Sequence, residues 1–239
     1  MAIVKNVPFL IWFYGFLRTI KPIKINIRKH REAGNLEKER LEILKAENAW
    51  GRALVKRAGI TLNIKSAEAL PEGPVVFISN HQSYWDIPVC FAAITEKPFG
   101  FVAKESLRKI PVFGSWIEDI RSVFIKRDDA RASLKAIEEG IELLKQGFSL
   151  VVFPEGTRSK GSEIKEFKKG SLRLAIKAEV PVVPITIYGT FRAYEEKGYV
   201  RPAEIDIIIH PAIDTRGMAR KEAAELPERV EGIIRRAMP

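Results

Sequence analysis

The fold is decided by the stretch Pro74-Val75-Val76-Phe77-Ile78-Ser79-Asn80-His81-Gln82-Ser83-Tyr84-Trp85-Asp86. Its first five residues form a short apolar run rich in β-branched side chains, which is typical of a fully buried strand in a parallel sheet. Residues 87–94 are again apolar and predict a helix, whose first turn tolerates Pro88. His81 and Asp86 therefore follow a buried strand and precede a helix, where α/β sheets bind their ligands.

The spacing of His81 and Asp86 sets a geometric condition on any contact between them. Along a continuous helix, five residues correspond to about 500°, which leaves the two side chains roughly 140° apart. If residues 81–84 form a turn, Asp86 can reach back to the imidazole, fix its tautomer and leave the other ring nitrogen free as a base. The alternative is that Ser83 and Asp86 only cap a helix and that His81 is a polar loop residue.

The composition is typical of a globular protein, and the net positive charge is concentrated in the N-terminal quarter of the chain. The 239 residues, 46% of them hydrophobic, suffice for one α/β domain and a small additional segment. The single cysteine, Cys90, lies in an apolar context and fits a reducing cytosol, with burial favoured over a nucleophilic role. Residues 1–65 carry 14 Lys or Arg against 5 Asp or Glu, whereas residues 66–239 carry 26 against 25. This asymmetry indicates an anionic surface bound by the N-terminal part.

The N-terminal part predicts a membrane-associating segment of two helices, residues 1–58. Residues 6–17 carry no charge; as a helix they reach roughly 18 Å, too short for about 30 Å of bilayer hydrocarbon. Their aromatic residues and flanking cations favour an interfacial helix on an anionic leaflet, with an ordinary buried helix as the alternative.

Residues 35–58 predict a second helix that pairs with the first as a hairpin. The cations between them, expected to face the membrane, are Lys24, Arg28, Lys29 and Arg31. Nucleic-acid binding is disfavoured, because long apolar side chains rather than stacking aromatics complete the pattern.

From residue 59 onward, short apolar runs alternate with helical patterns. Strands are predicted at residues 60–64, 74–78, 99–103, 123–125, 150–153, 182–187 and 204–209, and the clearest amphipathic helix at residues 128–145. Alternation at this spacing predicts an α/β fold, a largely parallel central sheet flanked by helices, as a second domain over residues 59–239.

A second group of polar residues follows the strand predicted at 150–153. Gly156 permits a close backbone approach, Thr157 supplies a hydroxyl, and Arg158 offers a planar fork that matches phosphate oxygens. Lys104 and Arg127 end two further strands in the same way. Together these residues predict a phosphate clamp beside His81 and Asp86, although each cation alone is most often a solvated surface charge.

These residues resemble the signatures of the glycerolipid acyltransferases. Asn80 and His81 followed by Asp86 resemble the NHxxxxD signature, and residues 153–159 are identical to FPEGTRS. Residues 180–185 resemble the VPVVPV-like fourth block, and residues 104–114 resemble the segment between the first and second blocks. The EGTRS form is most similar to 1-acyl-sn-glycerol-3-phosphate acyltransferases of the bacterial PlsC type. One departure is Arg121-Ser122-Val123, where family members often carry Gly ahead of the Phe that Phe124 matches.

The resemblance implies a reaction and a role for each matched residue. A fatty acyl group would pass from an acyl thioester, on acyl carrier protein or coenzyme A, to the 2-hydroxyl of lysophosphatidic acid, giving phosphatidic acid in phospholipid biosynthesis. His81 would be the general base and Asp86 its partner, with backbone N–H groups near His81 or Gly156 as oxyanion donors. The residues expected to bind the acceptor or its phosphate are Lys104, Arg127, Glu155, Gly156, Thr157 and Arg158. Glu155 would orient the glycerol or Arg158.

The same resemblance implies no cofactor and no metal, and His30, His81 and His210 have no ligand-like companions in the sequence. The expected location is the cytoplasmic face of the cell membrane, reached through the N-terminal helices, and the expected partners include an anionic leaflet but no nucleic acid. Two alternatives stay open: an acyltransferase for another glycerol or phospho-alcohol acceptor, and an acyl thioesterase. The absence of a Gly-x-Ser-x-Gly elbow disfavours the thioesterase.

Overall fold

A computed structural model describes residues 2–66, 68–126, 129–168 and 170–239. Within these residues one seven-stranded sheet runs in the order β1-β7-β6-β2-β5-β3-β4. The strands are β1 Ile60–Ser66, β2 Val76–Ser79, β3 Phe99–Lys104, β4 Val123–Ile125, β5 Ser149–Val152, β6 Val182–Tyr188 and β7 Ala203–Ile209. The five strands from β6 to β4 are parallel, whereas β7 is antiparallel to β6 and parallel to β1. The predicted α/β fold with a largely parallel sheet is confirmed.

The helices of the described residues flank this sheet and precede it. They are α1 Ala2–Thr19, α2 Lys21–Glu32, α3 Leu36–Ala58, α4 Asp86–Ala93, α5 Phe113–Asp119, α6 Ala130–Lys145, α7 Arg173–Ala178 and α8 Arg220–Arg236, with 3₁₀ turns at Glu105–Lys109 and Thr190–Ala193. β2 and β5 are buried along their whole length, so both faces of the central sheet are covered. The carboxyl ends of β2, β5, β3 and β4 consequently meet at one edge.

The N-terminal segment contains three helices rather than the two predicted. The basic stretch between the predicted helices forms α2, which packs against α3 as a helical hairpin. α3 begins after Asn35, whose side chain accepts a hydrogen bond from the amide of Lys38, and ends at Gly59 in the left-handed conformation. The sequence did not predict α2, because this basic stretch has a single completely buried side chain, Ile27.

α3 is part of the same hydrophobic core as the sheet. Ile43, Trp50 and Leu54 are buried in one continuous cluster with the strands. Gly51 lets α3 approach α4, since a Cβ at this position would lie 2.4 Å from the amide nitrogen of Ala92. The division of the chain at residue 58 stays a prediction, and the core runs across it.

Cations of α2 bind buried carboxylates of the protein itself. Asp119, 3% exposed, pairs with Lys24 at 3.1 Å and Arg28 at 3.0 Å. Glu39, fully buried, pairs with Arg31 and Arg121, both at 2.7 Å. These ion pairs turn Lys24 and Arg31, 15% and 25% exposed, toward the protein instead of the expected membrane, whereas Arg28 remains half exposed. The sequence did not reveal these pairs, because Asp119 lies roughly ninety residues from its partners.

Candidate active site

The side chains of the NHxxxxD stretch lie at the carboxyl edge of β2. His81 is the second residue after the strand, and Asp86 is the first residue of α4. Residues 81–83 are irregular and residues 84 and 85 form a turn, so the turn expected at residues 81–84 lies later in the chain. The backbone is still non-helical between His81 and Asp86, which is what their contact requires. Asn80 ties the stretch to the neighbouring strand β6, because its side chain donates to the carbonyl of Ile187 and accepts from the amide of the same residue, both at 2.8 Å.

His81 and Asp86 are in direct contact. Nδ1 of His81 lies 2.6 Å from Oδ2 of Asp86, and the carboxylate is completely buried. Oδ2 also accepts from the amides of Gln82 and Ser83, at 2.7 and 2.9 Å, while Oδ1 accepts from the hydroxyl of Thr190. With its carboxylate anchored from both sides, Asp86 favours a proton on Nδ1 and leaves Nε2 to act as a base.

Glu155 supports the backbone of His81 rather than the guanidinium of Arg158. Oε1 accepts from the amide of His81 at 2.6 Å, and Oε2 accepts from the amide of Lys165 at 3.0 Å. Burial raises the pKa of the Glu155 carboxyl above its ordinary value, and the two amide donors partly oppose that rise. The expectation that Glu155 orients Arg158 has no support among the described contacts, because both oxygens are occupied by amides.

The backbone amides of residues 81–85 are all used internally. The amides of residues 81–83 donate to Glu155 and Asp86, as described above. The amide of Tyr84 donates to Glu195 at 3.1 Å, and the amide of Trp85 donates to the hydroxyl of Ser83 at 3.0 Å. The amide of Gly156 also donates, to the carbonyl of Phe153. Because a donor already engaged is not available to a developing negative charge, the predicted oxyanion donors at His81 and Gly156 are not free. Within the described residues no hydrogen bond engages the amides of Thr157 and Arg158.

An aromatic row leads from His81 into the core. The ring of Phe153 stacks on the imidazole with centroids 4.0 Å apart, and the ring of Phe101 is nearly parallel to that of Phe153 with centroids 6.3 Å apart. Beyond Phe101 lies an apolar cavity of about 40 Å³ between α3, α4, β3 and α5. Its lining includes Ile87, next to Asp86, and Ala103, next to Lys104, so the cavity adjoins the catalytic edge.

Arg158 is held by two neighbours. Its Nη1 donates to Oε1 of Glu195 at 2.6 Å, and its Cζ lies 3.4 Å from the ring centroid of Tyr84. The same Glu195 accepts from the hydroxyl of Ser83. Arg158 is thereby fixed against the turn that joins His81 to Asp86.

The other predicted binding residues have different surroundings. Lys104 ends β3 at the same sheet edge and is exposed, and no hydrogen bond or ion pair in the described part of the chain engages its ammonium. Arg127 lies outside the described residues. Gly156 has a φ of +70°, and a Cβ there would lie 2.9 Å from the Lys168 ammonium. Thr157 is exposed.

Sequence reasoning missed Thr190, Glu195 and Lys168. Thr190 and Glu195 follow β6, the strand beside β2, so their position after a predicted parallel strand was the only available signal. Lys168 was one of several lysines in a loop, with nothing in the sequence to distinguish it. Across the described ranges, no group of three or more His, Cys, Asp or Glu side chains is arranged to hold a metal ion.

Comparisons with known proteins agree on one family. The family model described as Acyltransferase matches residues 61–188. The chain is 32% identical over 183 residues to the 1-acyl-sn-glycerol-3-phosphate acyltransferase of Pseudomonas aeruginosa. This match covers 76% of this chain and 70% of that protein. It is 39% identical over 145 residues to a protein of that name from Chlamydomonas reinhardtii, covering 60% of this chain and 43% of the relative. The match to the chloroplast relative LPAT1 of Arabidopsis thaliana likewise spans 43% of that protein.

A solved structure resembles the whole chain. The crystal structure of the 1-acyl-sn-glycerophosphate (LPA) acyltransferase PlsC from Thermotoga maritima superposes with a TM-score of 0.75 at 29% identity, covering 100% of this chain and 96% of that one.

Proposed function

Because the chain belongs to the acyltransferase family, we propose that it transfers a fatty acyl group from an acyl thioester to the 2-hydroxyl of 1-acyl-glycerol-3-phosphate, giving phosphatidic acid. The observation that carries this proposal is the contact of 2.6 Å between His81 and Asp86, on a turn that is also tied to Arg158. A base and a phosphate-binding cation held by one turn suit an acceptor that carries a hydroxyl and a phosphate on neighbouring carbons.

The reaction requires one proton to be moved twice. Nε2 of His81 takes the proton of the acceptor hydroxyl as the oxygen attacks the thioester carbonyl carbon. Asp86 stabilises the resulting imidazolium. The tetrahedral intermediate then breaks its carbon–sulfur bond, and the departing thiolate receives the same proton as the ester forms. No acyl-enzyme and no cofactor is needed, and either acyl carrier protein or coenzyme A can supply the thioester.

The oxyanion of the tetrahedral intermediate needs donors near the carbonyl carbon. With the amides of residues 81–85 engaged, those of Thr157 and Arg158 are among the nearby amides that no hydrogen bond of the described residues engages. They belong to the same loop as Glu155, which is tied to the amide of His81. We therefore assign the oxyanion to the segment 157–158.

The acceptor phosphate is assigned to Arg158, with Lys104, Lys168 and Arg127 as further cations. Arg158 donates one hydrogen bond to Glu195 and has further N–H groups for the phosphate. Lys168 supports the assignment because its ammonium lies over Gly156, one residue before Thr157.

The acyl chain of the donor is assigned to the apolar cavity beyond Phe101. A volume of about 40 Å³ has room for only a few water molecules, so the surrounding side chains must move to admit an acyl chain. Ala103→Leu would shorten this space, and the product acyl chains of that variant are expected to be shorter than those of the wild type.

Membrane association is assigned to α1. Its exposed apolar residues Val4, Val7, Ile11 and Tyr14 recur at helical spacing and form one stripe, while Phe9 and Trp12 pack on the core. No helix within the described residues is long and apolar enough to cross a membrane. A helix lying on the cytoplasmic leaflet would bring the site to acceptors that stay in the bilayer.

The test of the enzymatic proposal uses a radiolabelled acyl thioester with and without lysophosphatidic acid. We expect labelled phosphatidic acid from the wild type and near-complete loss with His81→Ala. Equal thiol release with and without acceptor would identify a thioesterase instead. His30→Ala, on α2, is the matched control and should retain activity.

The test of the membrane proposal is flotation with anionic vesicles. Ile11→Glu, at a position 70% exposed on the α1 stripe, should weaken binding, whereas Leu41→Glu, on an exposed part of α3, should not. Point substitutions are preferable to deletion of residues 1–58, because Phe9 of α1 packs against Trp85 in the turn between His81 and Asp86. Equal flotation of both variants and the wild type would contradict the role of α1.

A further inference from the structure

Glu195 is a buried carboxylate that joins two separate parts of the site. It lies just after the 3₁₀ turn that follows β6, and its side chain is 4% exposed. Its Oε1 accepts from Nη1 of Arg158 and from the amide of Tyr84, and its Oε2 accepts from the hydroxyl of Ser83. Two donors thus come from the turn between His81 and Asp86, and one comes from the loop after β5.

This arrangement fixes the guanidinium on two sides. Glu195 holds one edge of Arg158, and the ring of Tyr84 covers one face at 3.4 Å. The side chain of Arg158 is 20% exposed, and no other hydrogen bond of its guanidinium occurs within the described residues. The remaining N–H groups of Arg158 are therefore available for an external anion. Their position is set by Glu195 and by Tyr84, which lies in the turn between His81 and Asp86.

We propose that Glu195 is a positioning residue, which sets the distance between the phosphate-binding N–H groups of Arg158 and the base His81. The inference rests on the proposed function, since it assigns the acceptor phosphate to Arg158. Glu195 touches neither the reacting hydroxyl nor the thioester, and it acts through Arg158. Because a flexible arginine must lose rotamer freedom to bind, holding it in place beforehand strengthens acceptor binding.

The experiment measures kcat and KM for lysophosphatidic acid and for 1-acylglycerol, which lacks the phosphate. Glu195→Ala is expected to raise KM for lysophosphatidic acid about tenfold, and Glu195→Gln, which keeps an acceptor oxygen, should raise it less. KM for 1-acylglycerol should stay within about twofold of the wild type. In an Arg158→Ala background, removing Glu195 should change neither value further, since the residue acts through Arg158.

Glu196→Gln is the matched control. Glu196 is the next residue along the chain and pairs with Arg201, a partly exposed side chain. Its kinetic constants should equal those of the wild type. Thermal melting of every variant shows whether it folds. If Glu195→Ala fails to fold, Glu195→Gln takes its place and is measured both alone and combined with Arg158→Ala.

Three outcomes overturn the proposal. An unchanged KM for lysophosphatidic acid in folded Glu195→Ala, or in Glu195→Gln where the alanine variant does not fold, denies any role. A lower KM means that Glu195 competes with the phosphate for Arg158. Equal effects with and without Arg158, or on both acceptors, indicate a general structural role. A wild type that forms no phosphatidic acid refutes the proposed function instead, and the two failures are thereby distinguished.

Discussion

The ring of Phe153 lies nearly parallel to the imidazole of His81, with centroids 4.0 Å apart and an angle of 16° between the planes. Phe153 begins the FPEGTRS segment, and its ring is also nearly parallel to that of Phe101. The segment therefore does two things for His81: its Phe holds the ring, and its Glu155 holds the backbone amide. The base and this loop are therefore joined by a ring stack and a hydrogen bond.

Replacing Phe153 by Ala should lower kcat by about tenfold to a hundredfold, since small misplacements of a reacting group have effects of that order. Phe153→Tyr keeps the stacked ring and is the matched control, with kcat expected near that of the wild type. Steady-state kinetics at saturating acceptor measures both. Unchanged kcat in Phe153→Ala, with an intact melting transition, would show that Asp86 alone orients the imidazole.

Thr190 is the partner of the second oxygen of Asp86, and its removal should weaken the base. Thr190→Val leaves Oδ1 of a fully buried carboxylate without its hydroxyl donor, which costs roughly 1–3 kcal/mol. We expect kcat to fall about tenfold. Thr190→Ser keeps the hydroxyl and should retain most of the activity. If the two variants have the same kcat, the hydroxyl is not what Asp86 requires.

The local parts of the site could be predicted because they are close in sequence. His81 and Asp86 are five residues apart, and a strand followed by a turn and a helix allows their contact. The alternation of strands and helices fixed the common sheet edge, so Glu155 and Lys104 were expected there. The comparisons support the resemblance that was stated from four short blocks.

The distant partners could not be predicted, because nothing in the sequence pairs them. Glu195 lies 37 residues from Arg158 and 112 from Ser83, and Thr190 lies 104 from Asp86. Glutamate is common in this chain, and only the crossing of β6 beside β2 brings this one to the site. The ion pairs between α2 and the buried carboxylates could not be predicted for the same reason. The sequence does not distinguish a cation that faces a membrane from one that faces a buried carboxylate.

Asp119 should be a principal anchor of α2. Asp119→Ala leaves Lys24 and Arg28 without their counter-charge, and Lys24 is only 15% exposed. We expect the free energy of unfolding to fall by about 2 kcal/mol, less than the roughly 3–5 kcal/mol of a fully buried pair, since Arg28 is half exposed. Chemical denaturation measures the change.

Asp214→Ala is the control for Asp119, because Asp214 also pairs with an arginine but is exposed. Its unfolding midpoint should be nearly that of the wild type. Equal midpoints for Asp119→Ala and Asp214→Ala would mean that the ion pairs of α2 add nothing to stability.

Glu47 should make stability depend on pH. Its carboxyl is 1% exposed beside the apolar cavity, and both oxygens accept from the amide of Phe99, at 3.1 and 3.3 Å. Burial raises its pKa well above 4.5, more than the amide lowers it. The folded state therefore binds this proton more tightly than the unfolded chain. Its contribution to stability is fully present below pH 4.5 and is lost as the pH rises through the raised pKa.

Glu47→Gln removes the titration and keeps a carbonyl oxygen for the amide of Phe99. The free energy of unfolding of the variant should exceed that of the wild type by an amount that grows as the pH rises from 4.5 toward the raised pKa of Glu47. Urea denaturation at several pH values measures this difference, with Glu142→Gln as the control, because Glu142 is exposed on α6 and pairs with Lys145 at the surface. A difference that stays constant with pH would show that Glu47 is ionised in the folded protein and solvated through the cavity, contrary to the burial described above.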